Sequence, residues 1–248
     1  MDINDRREHP AFSELAENHF SFMAAHRGSI HRSYDAIELV GKADFLSCWI
    51  PLDASAGIPE TASNVRLYPW SGESWHERLL DSGFAPSEKL HYMEAQVAPT
   101  PPRLPDGVTI SVVRSDDDAL AFAGAQANGF LPTGLPSAAW WRTTFREVAL
   151  HSHRDPEQNL YLLRYRDEPA AVTLTLRSHG TCGIYAVTTI PSHRGRGLAS
   201  LLLGQIHRDA EKCGDIKLGL QVEPGSDAER LYLKSGFASA FISDTYRR

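Results

Sequence analysis

The stretch PSHRGRGLASLLLGQI, Pro191–Ile206, sets two glycines and two arginines in one short turn and then runs straight into aliphatic residues. It follows an apolar strand-like run, CGIYAVTTI (Cys182–Ile190). It opens a helix-like run whose apolar residues recur at Leu198, Leu202, Ile206 and Ala210. A strand, a glycine-rich turn and a helix N-terminus together make a cup of backbone N–H groups, and such a cup binds phosphate. Two familiar cradles fit it poorly. A P-loop needs Gly-Lys-Ser/Thr at the helix start, and none is present. A dinucleotide fold needs Gly or Ala at the third small position, where Ser200 stands, and an acid about 20 residues later. Glu223 lies too far along, and only Leu198–Arg248 remains to complete a doubly wound sheet. A nicotinamide oxidoreductase is therefore a distant reading.

Outward from this turn the C-terminal part reads as alternating elements. VTISVVR (Val108–Arg114) is a strand. Ser115 and three aspartates cap the helix DDDALAFAGAQANGF. SAAWWRTTFREVALHS (Ser137–Ser152) reads as a second, serine-capped helix. NLYLLRY and AAVTLTLR are strands joined at Asp167-Glu168-Pro169, and Cys182–Ile190 is a third strand after a turn at Gly180. The helix from Leu198 has Lys212 in its last turn and Gly214 after it. The strand IKLGLQV, the serine-capped helix SDAERLYLKSG and the strand FASAFISDTYRR complete the order β-α-α-β-β-β-α-β-α-β. This predicts an α/β fold.

APTPPRLPDG, Ala98–Gly107, crowds prolines without apolar periodicity and reads as a linker over 98–107. It divides the chain into segments 1–97 and 108–248. The N-terminal segment carries a partial echo of the C-terminal one. HERLLDSGFAPS (His76–Ser87) matches AERLYLKSGFAS (Ala228–Ser239) with one residue dropped, and each follows a strand-like run ending in proline. The glycine-arginine turn has no such counterpart.

Composition narrows the partners. The chain has 248 residues, 42% of them hydrophobic and 23% charged, as in ordinary globular proteins. A net charge of −6 argues against nucleic acid or an anionic membrane as the main partner. The charged N-terminus lacks an apolar leader, and no apolar run reaches spanning length. Three cysteines without metal-ligand spacing point to a reducing compartment, and the expected location is the cytoplasm.

RGRGLA, Arg194–Ala199, resembles the R/Q-x-x-G-x-G/A signature of the GNAT acyltransferases, the general amine N-acetyltransferase superfamily. AERLYLKSGF follows at family spacing and resembles that family's A-x-x-L-Y-x-x-x-G-F helix. The resemblance covers about 108–248 as a complete unit. It implies a GNAT fold, a mixed and mainly antiparallel sheet flanked by helices. The segment 1–97 then looks like a truncated, degenerate GNAT-like half in a tandem arrangement. The implied activity is transfer of acetyl from acetyl-CoA to a primary amine, most readily of a small molecule. No metal is implied, and a homodimer is compatible with it.

Site roles follow from the same resemblance. Arg194, Gly195, Arg196, Gly197, Leu198, Ala199 and Ser200 would hold the coenzyme A pyrophosphate. The strand entering the loop, Val187, Thr188 and Thr189, would offer backbone groups to pantetheine and an amide to the thioester oxygen. Tyr232 would protonate the departing thiolate, for which a phenol with an ordinary pKa near 10 is suited. Many relatives carry a Glu on the strand matching Cys182–Ile190, and this chain has none there. Glu223 acting through water is the candidate base, with His179 and His151 as outside candidates. One of Trp140 and Trp141 is expected to face an acceptor pocket and the other the core. Where relatives often carry Asn, this chain has Gly225, so that contact is missing or comes from Ser226 or Asp227. The absent strand Glu also leaves open a non-catalytic acyl-CoA-binding or regulatory module.

Overall fold

The computed structural model describes residues 14–43, 46–98, 103–132 and 134–248. The chain forms two compact units that are not consecutive in sequence. One holds the chain up to Met93 with Gln221–Arg230 and Ala238–Arg248, and the other holds Glu94–Leu220 with Leu231–Phe237. Part of the expected linker, 99–102, lies outside the described residues. The flanking Arg103–Pro105 has no regular structure.

The first unit contains α1 (Glu14–His26), β1 (Gly28–Arg32), β2 (Ala36–Gly41), β3 (Cys48–Pro51), β4 (Asn64–Leu67), α2 (Ser74–Asp81) and most of β5 (Ala85–Gln96). Its remaining strand is the last of the chain, β11 (Ala238–Arg247), which lies between β4 and β5. Pairing is antiparallel for β1–β2, β2–β3 and β4–β11, and parallel for β3–β4. Trp49 and Trp75 meet edge to face at 5.4 Å in an apolar core with Val65, Leu67, Leu79, Phe84 and Tyr246. A polar layer lies among aromatics elsewhere in this unit. His19 Nδ1 lies 2.6 Å from the Tyr92 hydroxyl, which lies 2.8 Å from that of Tyr68. Burial holds His19 well below the usual imidazole range, so it is neutral at pH 7.

The second unit runs through β6 (Val108–Val112), α3 (Asp116–Phe130), α4 (Ala138–Ser152), β7 (Gln158–Tyr165), β8 (Glu168–Ser178), β9 (Thr181–Thr189) and α5 (Leu198–Cys213). Then come β10 (Lys217–Val222) and α6 (Asp227–Lys234), each of which crosses from one unit to the other along the chain. From Val108 on, the element order is the one read from the sequence. The strand order here is β10-β9-β8-β7-β6, antiparallel except for the parallel β9–β10 pair. Such a mixed sheet with helices is an α/β fold. Helices α3 and α5 pack on β8 and β9. The buried stripe of α5, Leu198, Leu202, Ile206 and Ala210, is the one its periodicity predicts.

Local chemistry explains the boundaries. The Ser115 hydroxyl accepts the Asp118 amide at 3.2 Å, capping α3. Ser137 sits at the start of α4 but makes no side-chain cap. The β7–β8 reversal uses Arg166 and Asp167, both left-handed, one step before the expected Asp-Glu-Pro turn. Left-handed geometry at both central residues matches the twist of the flanking strands better than an ordinary turn would. His179 and Gly180 do the same between β8 and β9.

One close approach positions the future site. A Cβ built on Gly129, in the last turn of α3, would lie 2.3 Å from Thr188 Oγ1 and 3.2 Å from Thr188 Cβ. Thr188 is buried and β-branched, so it has little freedom to yield. Gly129→Ala should destabilise the protein by about 1–3 kcal/mol through overpacking. Adding Thr188→Ala should recover much of that loss in urea unfolding, and strictly additive losses would show that the two do not touch.

Candidate active site

Strand β9 is irregular where the site forms. Val172 pairs with Thr188 and Leu174 with Tyr185, so Ala186 and Val187 together oppose Thr173 alone. This is a β-bulge, which leaves a residue out of the ladder and bends the strand. Ala186 adopts φ 55, a left-handed conformation that costs a residue with a Cβ about 1–3 kcal/mol. The Thr173 hydroxyl, fully buried, donates to the Tyr185 carbonyl at 3.0 Å and pins the strand beside the bulge.

On its other edge β9 loses its neighbour early. The parallel ladder with β10 joins Leu218 to Cys182 and Gly219 to Gly183, and goes no further. The Ile190 amide turns to β8, donating to the Ala170 carbonyl at 2.9 Å. Alternation then aims the backbone groups of Thr189 away from β8, at the open edge. Thr188 belongs to the opposite set, and its side chain packs against Gly129.

The loop after β9 is built from backbone. Pro191–His193 form a single 3₁₀ turn, and Gly195 and Gly197 take φ 75 and φ 73, which glycine alone adopts without penalty. Helix α5 starts at Leu198 with Gly197 as a cap that offers no side chain. Among the described residues, no backbone carbonyl accepts the amides of Gly195 through Ser200, and the first intrahelical bond runs from Leu201 to Gly197. These free N–H groups and the positive end of α5 make an anion cup. A Cβ on Gly195 or Gly197 would meet nothing within 4 Å, so the space before them is open.

The two arginines differ. Arg194 donates from Nε to the Thr189 carbonyl at 3.1 Å and from Nη2 to the Gly129 carbonyl at 2.9 Å, tying the loop to β9 and α3. Its amide also turns inward, to Pro191, at 3.3 Å. Arg196 lies over the Tyr165 ring, 5.0 Å from the centroid, and His193 meets the same ring edge to face at 5.9 Å. The sequence offered no reason to single out Tyr165, Thr173 or Ala186. Gly129, isolated in a helix, was a weak signal.

Tyr232 is 6% exposed, and its ring meets Phe237 edge to face at 5.9 Å. Phe237 in turn meets His207 of α5 at 6.2 Å. Among the described residues no partner takes the Tyr232 hydroxyl. Burial pushes this phenol up to about 12, above the value near 10 read from residue type. Glu223 follows β10 and belongs to the first unit, whereas Tyr232 belongs to the second. His179 is exposed in the β8–β9 turn, and His151 lies exposed near the end of α4. Trp140 and Trp141 are both half-buried and meet each other edge to face at 4.8 Å, so neither is a core residue. At the corner carrying Gly225, the Ser226 hydroxyl accepts the Glu229 amide at 3.1 Å, and the Gly225 amide donates to Glu229 Oε2 at 2.8 Å. Asp227 pairs with Arg230 instead.

The family model for the acetyltransferase (GNAT) domain matches residues 102–220. Residues 102–220 belong to the GNAT superfamily. Solved structures resemble almost the whole chain in fold. A GCN5-related N-acetyltransferase from Kribbella flavida aligns at TM-score 0.68 and 17% identity, covering 95% of each chain. A functionally unknown conserved protein from Staphylococcus epidermidis aligns at 0.67 and 12%, covering 92% of this chain and 96% of that one. A tandem GNAT protein from the clavulanic acid biosynthesis pathway aligns at 0.57 and 11%, covering 86% and 78%. No curated protein matches the sequence. At these identities the likeness establishes the GNAT fold, with the free loop amides at the start of α5. Among the described residues no helix is long and apolar enough to cross a membrane, and no cluster of His, Cys, Asp and Glu could hold a metal.

Gly197→Val should strain the loop, because a β-branched residue at φ 73 is a genuine outlier. We expect coenzyme A affinity by calorimetry to fall more than tenfold while the cooperative unfolding transition persists. Unchanged affinity in the folded variant would remove the loop from the binding site.

Proposed function

We propose that the chain transfers an acetyl group from acetyl-CoA to the primary amine of a small molecule. The observation that carries this reading is the row of unpaired amides from Gly195 to Ser200, at the mouth of α5 and beside the open edge of β9. The amides fit a pyrophosphate. The exposed strand edge at Val187 and Thr189 fits the amides of a pantetheine arm, which would add to β9 as a further strand does. An amide on that edge would stabilise the oxyanion of the tetrahedral intermediate.

In the reaction the amine nitrogen attacks the thioester carbonyl and forms the C–N bond, releasing its proton to water. The C–S bond then breaks, the thiolate takes the proton of the Tyr232 hydroxyl, and the phenolate recovers a proton from water. Burial opposes phenolate and thiolate alike, so their basicities rise together and the transfer stays near balance. Because burial sets Tyr232 at about 12, the hydroxyl holds its proton at every working pH. The segment 1–97 is, in this proposal, a degenerate GNAT-like half. The net charge of −6 favours small amines over nucleic acid as acceptors.

Free-thiol release from acetyl-CoA over a panel of primary amines tests the activity. Turnover with at least one amine is expected; tight coenzyme A binding without thiol release for any would favour the binding-module alternative. Tyr232→Phe should lower kcat about 10²–10⁴-fold with little change in acetyl-CoA affinity. Full kcat in that variant would leave the tyrosine a packing role only. In the wild type, a limb caused by phenol ionisation should lie near pH 12, and a Tyr232-dependent limb near 10 would contradict the burial argument.

A further inference from the structure

A second constellation lies entirely within the first unit. Ser239 is the second residue of β11, His91 stands on the neighbouring β5, and Glu229 is on α6. Ser239 Oγ is 2.5 Å from His91 Nε2, and His91 Nδ1 is 2.5 Å from Glu229 Oε1. The second carboxylate oxygen, Oε2, accepts the Gly225 amide at 2.8 Å, and Ser226 caps the Glu229 amide. The carboxylate is therefore oriented from two sides. The hydrogen bonds from His91 and from the Gly225 amide hold it below the usual range, so it is ionised at neutral pH.

Protonation logic fixes the tautomer. An ionised carboxylate only accepts, so His91 Nδ1 carries a hydrogen and donates it to Glu229. In the neutral imidazole, Nε2 is then the acceptor, and the group facing it is the Ser239 hydroxyl. This is the arrangement in which a serine hydroxyl can pass its proton to an oriented base. Exposure is graded to match. The side chains of Glu229 and His91 are 16% and 12% exposed, while Ser239 is open to solvent between the exposed small residues Ala238 and Ala240. A carbonyl group can thus approach Oγ while the base and its carboxylate remain sheltered. Of the other charged side chains on these strands, Lys89 pairs with Asp244 at 3.1 Å, Glu88 with Arg66 at 3.3 Å and Glu94 with Lys217 at 3.9 Å.

We propose that Ser239, His91 and Glu229 form a serine nucleophile site that cleaves carboxylic esters and shares no residue with the loop at Gly195–Ser200. Ser239 Oγ attacks the ester carbonyl and its proton passes to His91 Nε2. The C–O bond to the alcohol breaks, and the departing alkoxide takes that proton from Nε2. Water then attacks the acyl-serine, giving its proton to Nε2 and releasing the carboxylic acid as Ser239 recovers its hydrogen. No reagent beyond ester and water is needed. Ser239 and His91 are the catalytic residues, and Glu229 is a positioning residue.

The test is diisopropyl fluorophosphate labelling of the folded full chain, read by intact mass and peptide mapping, with p-nitrophenyl acetate hydrolysis in parallel. One adduct per chain, on Ser239, is expected. Ser239→Ala should abolish it, and being an exposed truncation should leave folding unchanged. His91→Asn should slow labelling at least 100-fold, the lower end of what a positioned base contributes. Glu229→Gln should slow labelling more than tenfold in a variant that still unfolds cooperatively, and Glu229→Asp, which keeps the carboxylate, should restore part of the rate. A merely structural Glu229 would lower the unfolding midpoint in urea without slowing labelling of the folded variant. Absence of an adduct on the folded wild type would overturn the proposal. So would labelling of Ser239 at equal rates in the wild type, His91→Asn and urea-unfolded protein. Acetyl-CoA thiol release does not enter either readout, so the proposal stands or falls independently of the acetyltransferase reading.

Discussion

The parallel ladder between β9 and β10 ends after Gly183 and Gly219, and the site depends on that early ending. Had the strands stayed paired, the backbone groups of β9 facing β10 would be satisfied internally and would have nothing to offer a ligand. The bulge at Ala186 and Val187 works in the same direction, since it bends β9 just where its parallel neighbour is lost. A left-handed alanine persists there because buried Thr173 and the β8 ladder on either side over-determine the path of the strand.

The loop inherits its position from this geometry. Arg194 reads two carbonyls at once, Thr189 on the bent strand and Gly129 at the end of α3, and so fixes the height at which α5 begins. Gly129 matters twice, because its missing Cβ also makes room for Thr188. The cationic side chains near the loop thus serve mainly to hold it, through carbonyls and the Tyr165 ring. In the proposed binding, the charge that meets an anion would come chiefly from amides and the helix terminus.

Much of this was legible in the residues, and the exceptions have physical causes. The α5 stripe, the Ser115 cap and the order of elements from Val108 follow from periodicity and capping, which are local effects. The glycine-rich turn was readable because the left-handed positions at Gly195 and Gly197 demand glycine. The bulge was not readable, because Ala186 takes a conformation that its residue type disfavours and only long-range pairing imposes it. Ser137 has the right side chain for a cap but the wrong backbone, so its hydroxyl makes none. Tyr232 was singled out by motif, but the burial that raises its phenol is something no local pattern records. The Ser239–His91–Glu229 set joins one short stretch to His91, which lies 138 residues before Glu229 and 148 before Ser239, so no local spacing records it.

In the proposed function, backbone amides of one strand edge and one helix mouth hold the acyl donor. Titrating ¹⁵N-labelled protein with coenzyme A and following each amide measures this directly. Saturable shifts are expected at Val187, Thr189 and Gly195–Ser200, with the amides of β1 to β4 unmoved. Saturable binding that leaves Gly195–Ser200 unshifted, or that perturbs chiefly the first unit, would contradict it.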